Sequence, residues 1–307
     1  MDRACYDIEH ISRYLYTWPI RNSVMSLCLT PRHDSAQRLL GFEITTDPSS
    51  AINMEKDCFG NSKHVLNIHR DHDSLVVTAR STVQTTAAPS LPDSLGPGAW
   101  EEIRSWRESF DEWDFIHSSE FARPSHALEE FVEGHGIASP GADPLISLLD
   151  LSDILYRAFE YVPGSTSAVS PIEDILKSGR GVCQDYAHVM IAVARLWGIP
   201  ARYVSGYLHI VDREGRSVRA QASHAWVECR LPDLGWIGLD PTNRSIAGER
   251  HVRVAVGRDY RDVAPTHGVF RGGGSTRLEV EVMVETGVPD GWPNGVSPSH
   301  PVCAASG

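Results

Sequence analysis

The pattern of hydrophobic and polar positions divides the chain into three regions. From residue 8 to about residue 86, short apolar or alternating runs are separated by turn residues such as Pro31, Pro48 and Gly60. Runs at this spacing predict the strands of an antiparallel, sandwich-like domain. The predicted strands cover residues 14–16, 24–29, 39–45, 64–68 and 75–78. We therefore assign residues 1–86 to a β-rich N-terminal domain.

The second region changes from a linker to helices. Residues 85–98 are rich in Thr, Ala, Pro, Ser and Gly, which is typical of a linker. After Trp100 the sequence pattern indicates helices, and the apolar residues of 145–159 recur at close to the helical period. We assign residues 87–160 to a linker and a helical segment that leads into the core.

The third region predicts an α+β core over residues 161–286. Ser170 and Pro171 fit the N-cap and first position of a short helix. A second helix begins at Cys183 and ends before Gly198, with one apolar face that predicts burial. Strands are predicted at 201–210, 219–230, 235–239, 252–256 and 278–285. Residues 287–307 are rich in Pro, Gly and Ser and predict a disordered tail.

Composition excludes two classes of partner. The chain of 307 residues has 28 Lys and Arg against 40 Asp and Glu, a net charge of −12. A basic stripe is absent, so binding to a nucleic-acid backbone is not expected. An apolar run of the roughly 18 residues that span a bilayer is also missing, so we expect no membrane partner. The expected partner is a peptide, a protein or a small molecule.

The six cysteines form no CxxC pair, and their spacing predicts no disulfide framework. The N-terminal residues are acidic and lack the apolar stretch of a secretory signal. We therefore expect free thiols and a cytoplasmic location. Position distinguishes one thiol: Cys183 follows Gly-Arg-Gly and stands at the predicted start of a buried helix.

A thiol at a helix N-terminus is suited to nucleophilic chemistry. The positive end of the helix dipole favours a thiolate, and free backbone N–H groups can stabilise an oxyanion next to the sulfur. A thiol nucleophile also needs a base and a group that orients it. His224 lies in one predicted strand, and Asp240 ends the next. The turn between them would bring the two side by side, although the residues alone leave open that Cys183 is only a small buried side chain.

Four motifs in order resemble the transglutaminase-like, microbial cysteine protease-like core. They are Gly-Val-Cys-Gln-Asp-Tyr-Ala-His at 181–188, Gly-Ile-Pro-Ala-Arg-Tyr-Val-Ser-Gly-Tyr at 198–207, Ser-His-Ala-Trp-Val-Glu at 223–228 and Trp-Ile-Gly-Leu-Asp-Pro-Thr-Asn at 236–243. Residues 252–260 and 268–272 look like the bacterial version. Residues 14–16 and 57–61 resemble the β-rich N-terminal domain that precedes this core. The resemblance extends from about residue 8 to about residue 284.

The resemblance implies a papain-like fold and acyl transfer at an amide. It implies Cys183 as nucleophile, His224 as general base and acid, and Asp240 as the group that orients His224. No metal or other cofactor is needed for this chemistry. The resemblance identifies no substrate pocket between residues 86 and 161.

Three further residues are candidates for the oxyanion site or the pocket. Gln184 is in the first turn of the Cys183 helix, and Tyr161 precedes that helix. Trp226 shares a strand with His224. For both Tyr161 and Trp226, packing in the core is the favoured alternative.

Two candidate metal sites are rejected. His64, His69, His72, Asp71 and Asp73 match no standard zinc spacing and predict a solvated polar turn. The second candidate is Cys183 with His224 and Cys229. Because Cys229 follows His224 by five residues on a strand, those two side chains point to opposite faces, which argues against joint ligation.

The sequence leaves the reaction open. Hydrolysis, deamidation, transfer to an amine and biosynthetic amide formation differ only in the leaving group and in what attacks the acyl-enzyme. A non-catalytic protein that binds peptides or serves as a scaffold on the same fold is the alternative of a different class. The oligomeric state is not predicted.

Overall fold

The computed structural model describes residues 3–272 and 274–288, and it has the predicted α+β fold. An N-terminal curled antiparallel sheet packs against a core in which one helix lies on a second antiparallel sheet. Most of the predicted tail, from residue 289 onward, lies outside the described residues.

The N-terminal sheet is organised around one long strand. Its strands in chain order are β1 (Arg3–Leu27), β2 (Gln37–Asp47), β3 (Ile52–Lys56), β4 (Ser62–Ile68) and β5 (His72–Thr86). The first half of β1 pairs with β5 and its end pairs with β4, with an irregularity between Leu15 and Ile20. Such an irregularity bends a strand. The curled sheet encloses its own apolar core, which includes Leu27, Leu66 and Leu75.

The helices lie between and beside the two sheets. They are α1 (Ala99–Ser105), α2 (Trp113–Ile116), α3 (His126–Gly134), α4 (Pro144–Ala158), α5 (Ile172–Ser178), α6 (Cys183–Leu196) and α7 (Tyr260–Val263). Helix α6 is the predicted buried helix. Helix α5 begins at Ile172 with Pro171 as its N-cap, one residue later than the sequence predicts.

The core sheet has five strands in the order β11-β10-β9-β8-β12. They are β8 (Ala201–Leu208), β9 (His224–Leu231), β10 (Gly235–Asp240), β11 (Ser245–Ile246) and β12 (His251–Gly257). Ala225, Val227 and Cys229 of β9 belong to the same buried cluster as the apolar face of α6. A short parallel pair, β6 (Glu160–Tyr161) and β7 (Arg180–Gly181), precedes α6.

The last two strands return to the N-terminal sheet. Strands β13 (Thr266–Arg271) and β14 (Thr276–Thr286) both pair with β1. The strand predicted at 278–285 therefore exists, but it does not pair within the core sheet. Its alternating pattern predicts a strand without naming a partner, because alternation is the same in any half-buried sheet.

Two histidines of the rejected metal cluster are buried, contrary to the predicted solvated turn. His72 Nδ1 donates a hydrogen bond to the carbonyl of Arg70 at 2.9 Å, and His64 lies beside Phe42. His64 shares the buried face of β4 with Leu66 and Ile68, and His72 begins β5 with its ring edge-on to Tyr16.

Candidate active site

The N-terminus of α6 positions Cys183 at the edge of a cleft. Val182 is the N-cap, and its N–H donates to Asp185 Oδ2 at 2.8 Å. Cys183 and Gln184 occupy the first two helical positions, where backbone N–H groups have no acceptor within the helix. The thiol is therefore placed beside free N–H groups and the positive end of the helix dipole.

Close packing behind Cys183 requires glycine at position 181. A Cβ there would lie 2.4 Å from Ile175 Cδ1 and 3.0 Å from Asp185 Oδ2. Thr166 also donates to Asp185 Oδ2, at 2.5 Å. Burial raises the pKa of Asp185, and the hydrogen bonds from Thr166 and Val182 act against that rise. Asp185 thus ties the loop before α5 to the start of α6.

His224 and Asp240 meet at the same end of the core sheet. His224 begins β9 and Asp240 ends β10, and His224 Nε2 lies 2.7 Å from Asp240 Oδ2. The other ring nitrogen, Nδ1, is left to interact with Cys183. Burial would lower the pKa of His224, but the charge and hydrogen bond of Asp240, together with Cys183, raise it to about 10. The imidazolium form is therefore favoured next to the thiol.

Asp240 is completely buried and held by a set of hydrogen bonds. Its Oδ2 atom also faces His251 Nε2 at 3.1 Å and accepts from Asn243 Nδ2 at 2.7 Å. Its Oδ1 atom accepts from the N–H groups of Thr242 and Asn243. Burial would raise the pKa of Asp240, but the charge of His224 and these hydrogen bonds hold it well below its usual range.

His251, at the start of β12, was not identified from the sequence. Its Nδ1 atom accepts the N–H of Gly248 at 3.3 Å, so Nε2 holds the proton and donates to Asp240. Asn243 was missed as a site residue as well, although it closes the quoted motif. The nitrogen and oxygen atoms of His224, Asp240 and His251 lie within 4.8 Å of one another. Their 2.7 and 3.1 Å separations are those of hydrogen bonds.

Trp226 supports His224 from behind and is not part of the cleft wall. Its ring is fully buried and stacks on His224 with centroids 6.0 Å apart, while His251 meets it edge-on at 5.2 Å. Gly206 leaves space for this ring, since a Cβ there would lie 2.6 Å from it. His224 and Trp226, two apart on β9, share a face, but of this pair His224 lines the cleft and Trp226 does not.

Gln184 and Tyr161 both line the cleft. The side-chain amide of Gln184 donates to the carbonyl of Ser167 at 2.8 Å, so it fastens the loop before α5. Tyr161 is 49% exposed, which corrects the expectation that it packs in the core. Burial, with smaller effects of Cys183 and Asp240, raises the pKa of Tyr161 to about 12, so its hydroxyl remains a donor at neutral pH.

The cleft has a volume of about 610 Å³ and lies between the two sheets. Cys183 and His224 form one side, and side chains of β1 and β14 form the other. Residues of the loop 209–223 also line the cleft. Ala220 and Val282 exchange backbone hydrogen bonds at 2.8 Å, which fix this loop to β14. The N-terminal sheet therefore forms part of the cleft wall.

Comparison with known proteins agrees with the fold. Residues 134–241 match the core of the transglutaminase-like superfamily, and residues 6–84 match the bacterial transglutaminase-like N-terminal region. An uncharacterized protein of Mycobacterium leprae is 34% identical over 280 residues, covering 90% of this chain and 97% of its own. The chain belongs to the transglutaminase-like superfamily.

Two further comparisons place this transglutaminase-like protein among its relatives. A protein-glutamine gamma-glutamyltransferase of Pseudomonas aeruginosa is 35% identical over 96 residues, which are 30% of this chain and 14% of that protein. The structure of a "Putative Cysteine Protease" from Cytophaga hutchinsonii has the same fold. Its TM-score is 0.71 at 19% identity, and the match covers 93% of this chain and 91% of that one. Across residues 3–272 and 274–288, each helix is too short or too polar to cross a membrane.

Proposed function

We propose that this protein catalyses acyl transfer at an amide through a thioester on Cys183, with His224 and Asp240 completing a catalytic triad. The observation that supports this proposal is the geometry at one end of the core sheet. Asp240 fixes Nε2 of His224 at 2.7 Å, while Cys183 stands at the N-terminus of α6 in the same cleft. Superfamily membership supports acyl transfer in general.

The reaction begins with attack of the Cys183 sulfur, whose proton His224 holds, on a carbonyl carbon. The C–S bond forms as the carbonyl π electrons move to oxygen, and backbone N–H groups at the start of α6 stabilise that oxyanion. When the oxyanion collapses, the C–N bond breaks. His224 gives its proton to the departing nitrogen, so ammonia or an amine leaves as a neutral molecule.

The second half releases the acyl group. Water or an amine attacks the thioester carbon, and His224 accepts the proton that the nucleophile loses. The C–S bond then breaks, so the Cys183 sulfur leaves as a thiolate beside protonated His224. Asp240 holds His224 in one orientation and stabilises its charged form throughout both steps. The same residues therefore serve hydrolysis, deamidation, amine transfer and amide formation, and only the acceptor differs.

Catalysis is favoured over a non-catalytic scaffold because the site residues are arranged for chemistry. A docking groove has no need for a buried carboxylate that accepts five hydrogen bonds and orients one imidazole. The proposed substrate is a peptide, a protein or a small amide. The cytoplasmic location remains a prediction that rests on the sequence.

A turnover assay tests the proposal. A panel of Gln- and Asn-containing peptides and activated amino-acid esters is incubated with the wild type, with and without hydroxylamine as an acceptor amine. We expect ammonia or alcohol release, with hydroxamate formed when hydroxylamine is present. In Cys183→Ser we expect turnover to fall about 10,000-fold, because the thiol nucleophile is gone. Equal turnover by Cys183→Ser and wild type would refute the proposal.

A further inference from the structure

The cleft that contains Cys183 is free of permanently charged side chains. Asp, Glu, Lys and Arg make up 22% of the chain, yet none of them is among the described residues that line the cleft. Away from the Cys183 and His224 pair, an ion that enters this site loses its water without gaining a partner of opposite charge, which is costly. The lining therefore selects against charge in the part of a substrate that occupies the cleft.

One wall of the cleft is apolar and belongs to the N-terminal sheet. Leu278, Val280, Val282 and Val284 alternate along β14, so their side chains share the face that looks into the cleft. Ile210 and other side chains of the loop 209–223 face the same space. These surfaces are suited to an aliphatic side chain near the carbonyl that Cys183 attacks.

The polar part of the lining is a chain of three buried side chains, two on β1 and one on β8. His10 contacts Ser12 Oγ through Nε2 at 2.9 Å and the Tyr207 hydroxyl through Nδ1 at 3.2 Å. All three line the cleft, and each is at least 98% buried. Burial lowers the pKa of His10 to about 4, so its ring is neutral at pH 7.

This hydrogen-bonded group of Ser12, His10 and Tyr207 retains one free donor. A neutral imidazole has one N–H, and the two hydroxyl groups add two O–H hydrogens. The two internal hydrogen bonds use two of these three hydrogens in either tautomer of His10. In the described part of the chain, the Ser12 and Tyr207 hydroxyls have no other side-chain hydrogen bond. One O–H is thus left for an acceptor in the cleft.

From these observations we infer that the cleft binds an uncharged, aliphatic acyl donor and that Ser12, His10 and Tyr207 together donate one hydrogen bond to a neutral carbonyl oxygen of that donor. This inference rests on the proposed function, because it places the donor by its reaction with Cys183. The neighbouring carbonyl of a peptide bond has the required chemistry, since it is a strong acceptor without charge.

A matched series of esters tests the charge selectivity. The 4-nitrophenyl esters of N-acetyl-norleucine, N-acetyl-glutamate and N-acetyl-lysine carry side chains of similar length that differ in charge. We expect kcat/KM for the norleucine ester to exceed that of both charged esters by about 100-fold, with Cys183→Ala as the background. Charged esters that react within threefold of the norleucine ester would overturn the inference. If none of the three acylates Cys183, the proposed function itself fails.

Charged variants at the cleft wall sharpen the test. Leu278 is 47% exposed, so the sheet accommodates a polar side chain there, and Val269 on β13 is an exposed control that does not line the cleft. We expect Leu278→Lys to favour the glutamate ester and Leu278→Glu the lysine ester, each by about tenfold. Val269→Lys and Val269→Glu should keep wild-type selectivity. Unchanged selectivity in both Leu278 variants would overturn the inference.

The donated hydrogen bond is tested by comparing N-acetyl-norleucine 4-nitrophenyl ester with 4-nitrophenyl hexanoate, which has the same aliphatic chain without the acetamido group. We expect the wild type to have a higher kcat/KM for the norleucine ester than for the hexanoate. In the Ser12→Ala/Tyr207→Phe variant, the ratio of these two kcat/KM values should fall about tenfold. Turnover of the hexanoate reports whether the variant is folded and active. An unchanged preference in an active variant would show that these hydroxyls do not bind the carbonyl.

Discussion

His251 donates a hydrogen bond from Nε2 to Oδ2 of Asp240, and that same oxygen accepts from Nε2 of His224. The two imidazoles come from different strands, β12 and β9. Gly248 fixes the tautomer of His251 by donating to its other nitrogen. His251 therefore limits the positions that the Asp240 carboxylate can adopt, and through Asp240 it orients His224.

Replacing His251 should reduce kcat without a matching change in KM. A hydrogen bond to a charged group is worth about 1.5–3 kcal/mol, and its loss would let the Asp240 carboxylate rotate. We expect His251→Leu to lower kcat about tenfold and to leave KM within twofold. His251→Gln keeps an N–H donor and should recover most of the loss. A rise in KM alone would show that His251 acts on substrate binding instead.

The pH dependence should follow the proton of His224. Asp240 and Cys183 raise the pKa of His224 to about 10, so the imidazolium persists through neutral pH and is lost as the pH rises through that value. We expect kcat/KM to fall on the alkaline side near pH 10. In Asp240→Asn the attraction is removed while burial still lowers the pKa of His224, so the alkaline limb should move to lower pH.

The control for this profile is Asp150→Asn, which makes the same change at an exposed position of α4. Its limb should coincide with that of the wild type across pH 5–11. An alkaline limb at the same pH in the wild type and in Asp240→Asn would contradict the role given to Asp240.

A methyl group at position 181 should disturb both stability and catalysis. In Gly181→Ala the new Cβ would lie 2.4 Å from Ile175, and one of the two must move. Overpacking of this kind costs about 1–3 kcal/mol in the free energy of unfolding. The displaced start of α6 should also lower kcat/KM. Denaturant unfolding measures the change in the free energy of unfolding, and an ester assay measures the change in kcat/KM.

Gly134→Ala in α3 is the matched control, because a Cβ there meets no atom within 4 Å. It should leave both the free energy of unfolding and the activity close to wild type. If Gly181→Ala behaved like Gly134→Ala, the close packing behind Cys183 would not matter to the site.

The sequence predicts the local parts of the site well, because they depend on short segments. The start of α6 at Cys183 follows from helix signals, and a short turn brings β9 and β10 together as adjacent strands. His251 could not be found this way, since β12 pairs with β8 and its register depends on contacts distant in sequence. The same holds for His10 and Ser12, which reach the cleft only because the N-terminal sheet packs on the core.

The N-terminal sheet shows the same limit. Alternation predicts a strand near the C-terminus, but β14 pairs with β1 across more than 250 residues of sequence. Burial of one face satisfies the pattern in either sheet, so periodicity alone does not choose the partner. Most of the apolar wall of the cleft therefore became apparent only from the fold.

On the mechanism proposed above, Cys183 forms a covalent acyl-enzyme. The most direct measurement is the intact mass of the protein after rapid mixing with N-acetyl-norleucine 4-nitrophenyl ester and acid quench, followed by peptide mapping. We predict a mass increase of one acyl group, on the peptide that contains Cys183, and none in Cys183→Ala. Adduct on another residue, or turnover by the wild type with Cys183 blocked by a thiol reagent, would contradict the account.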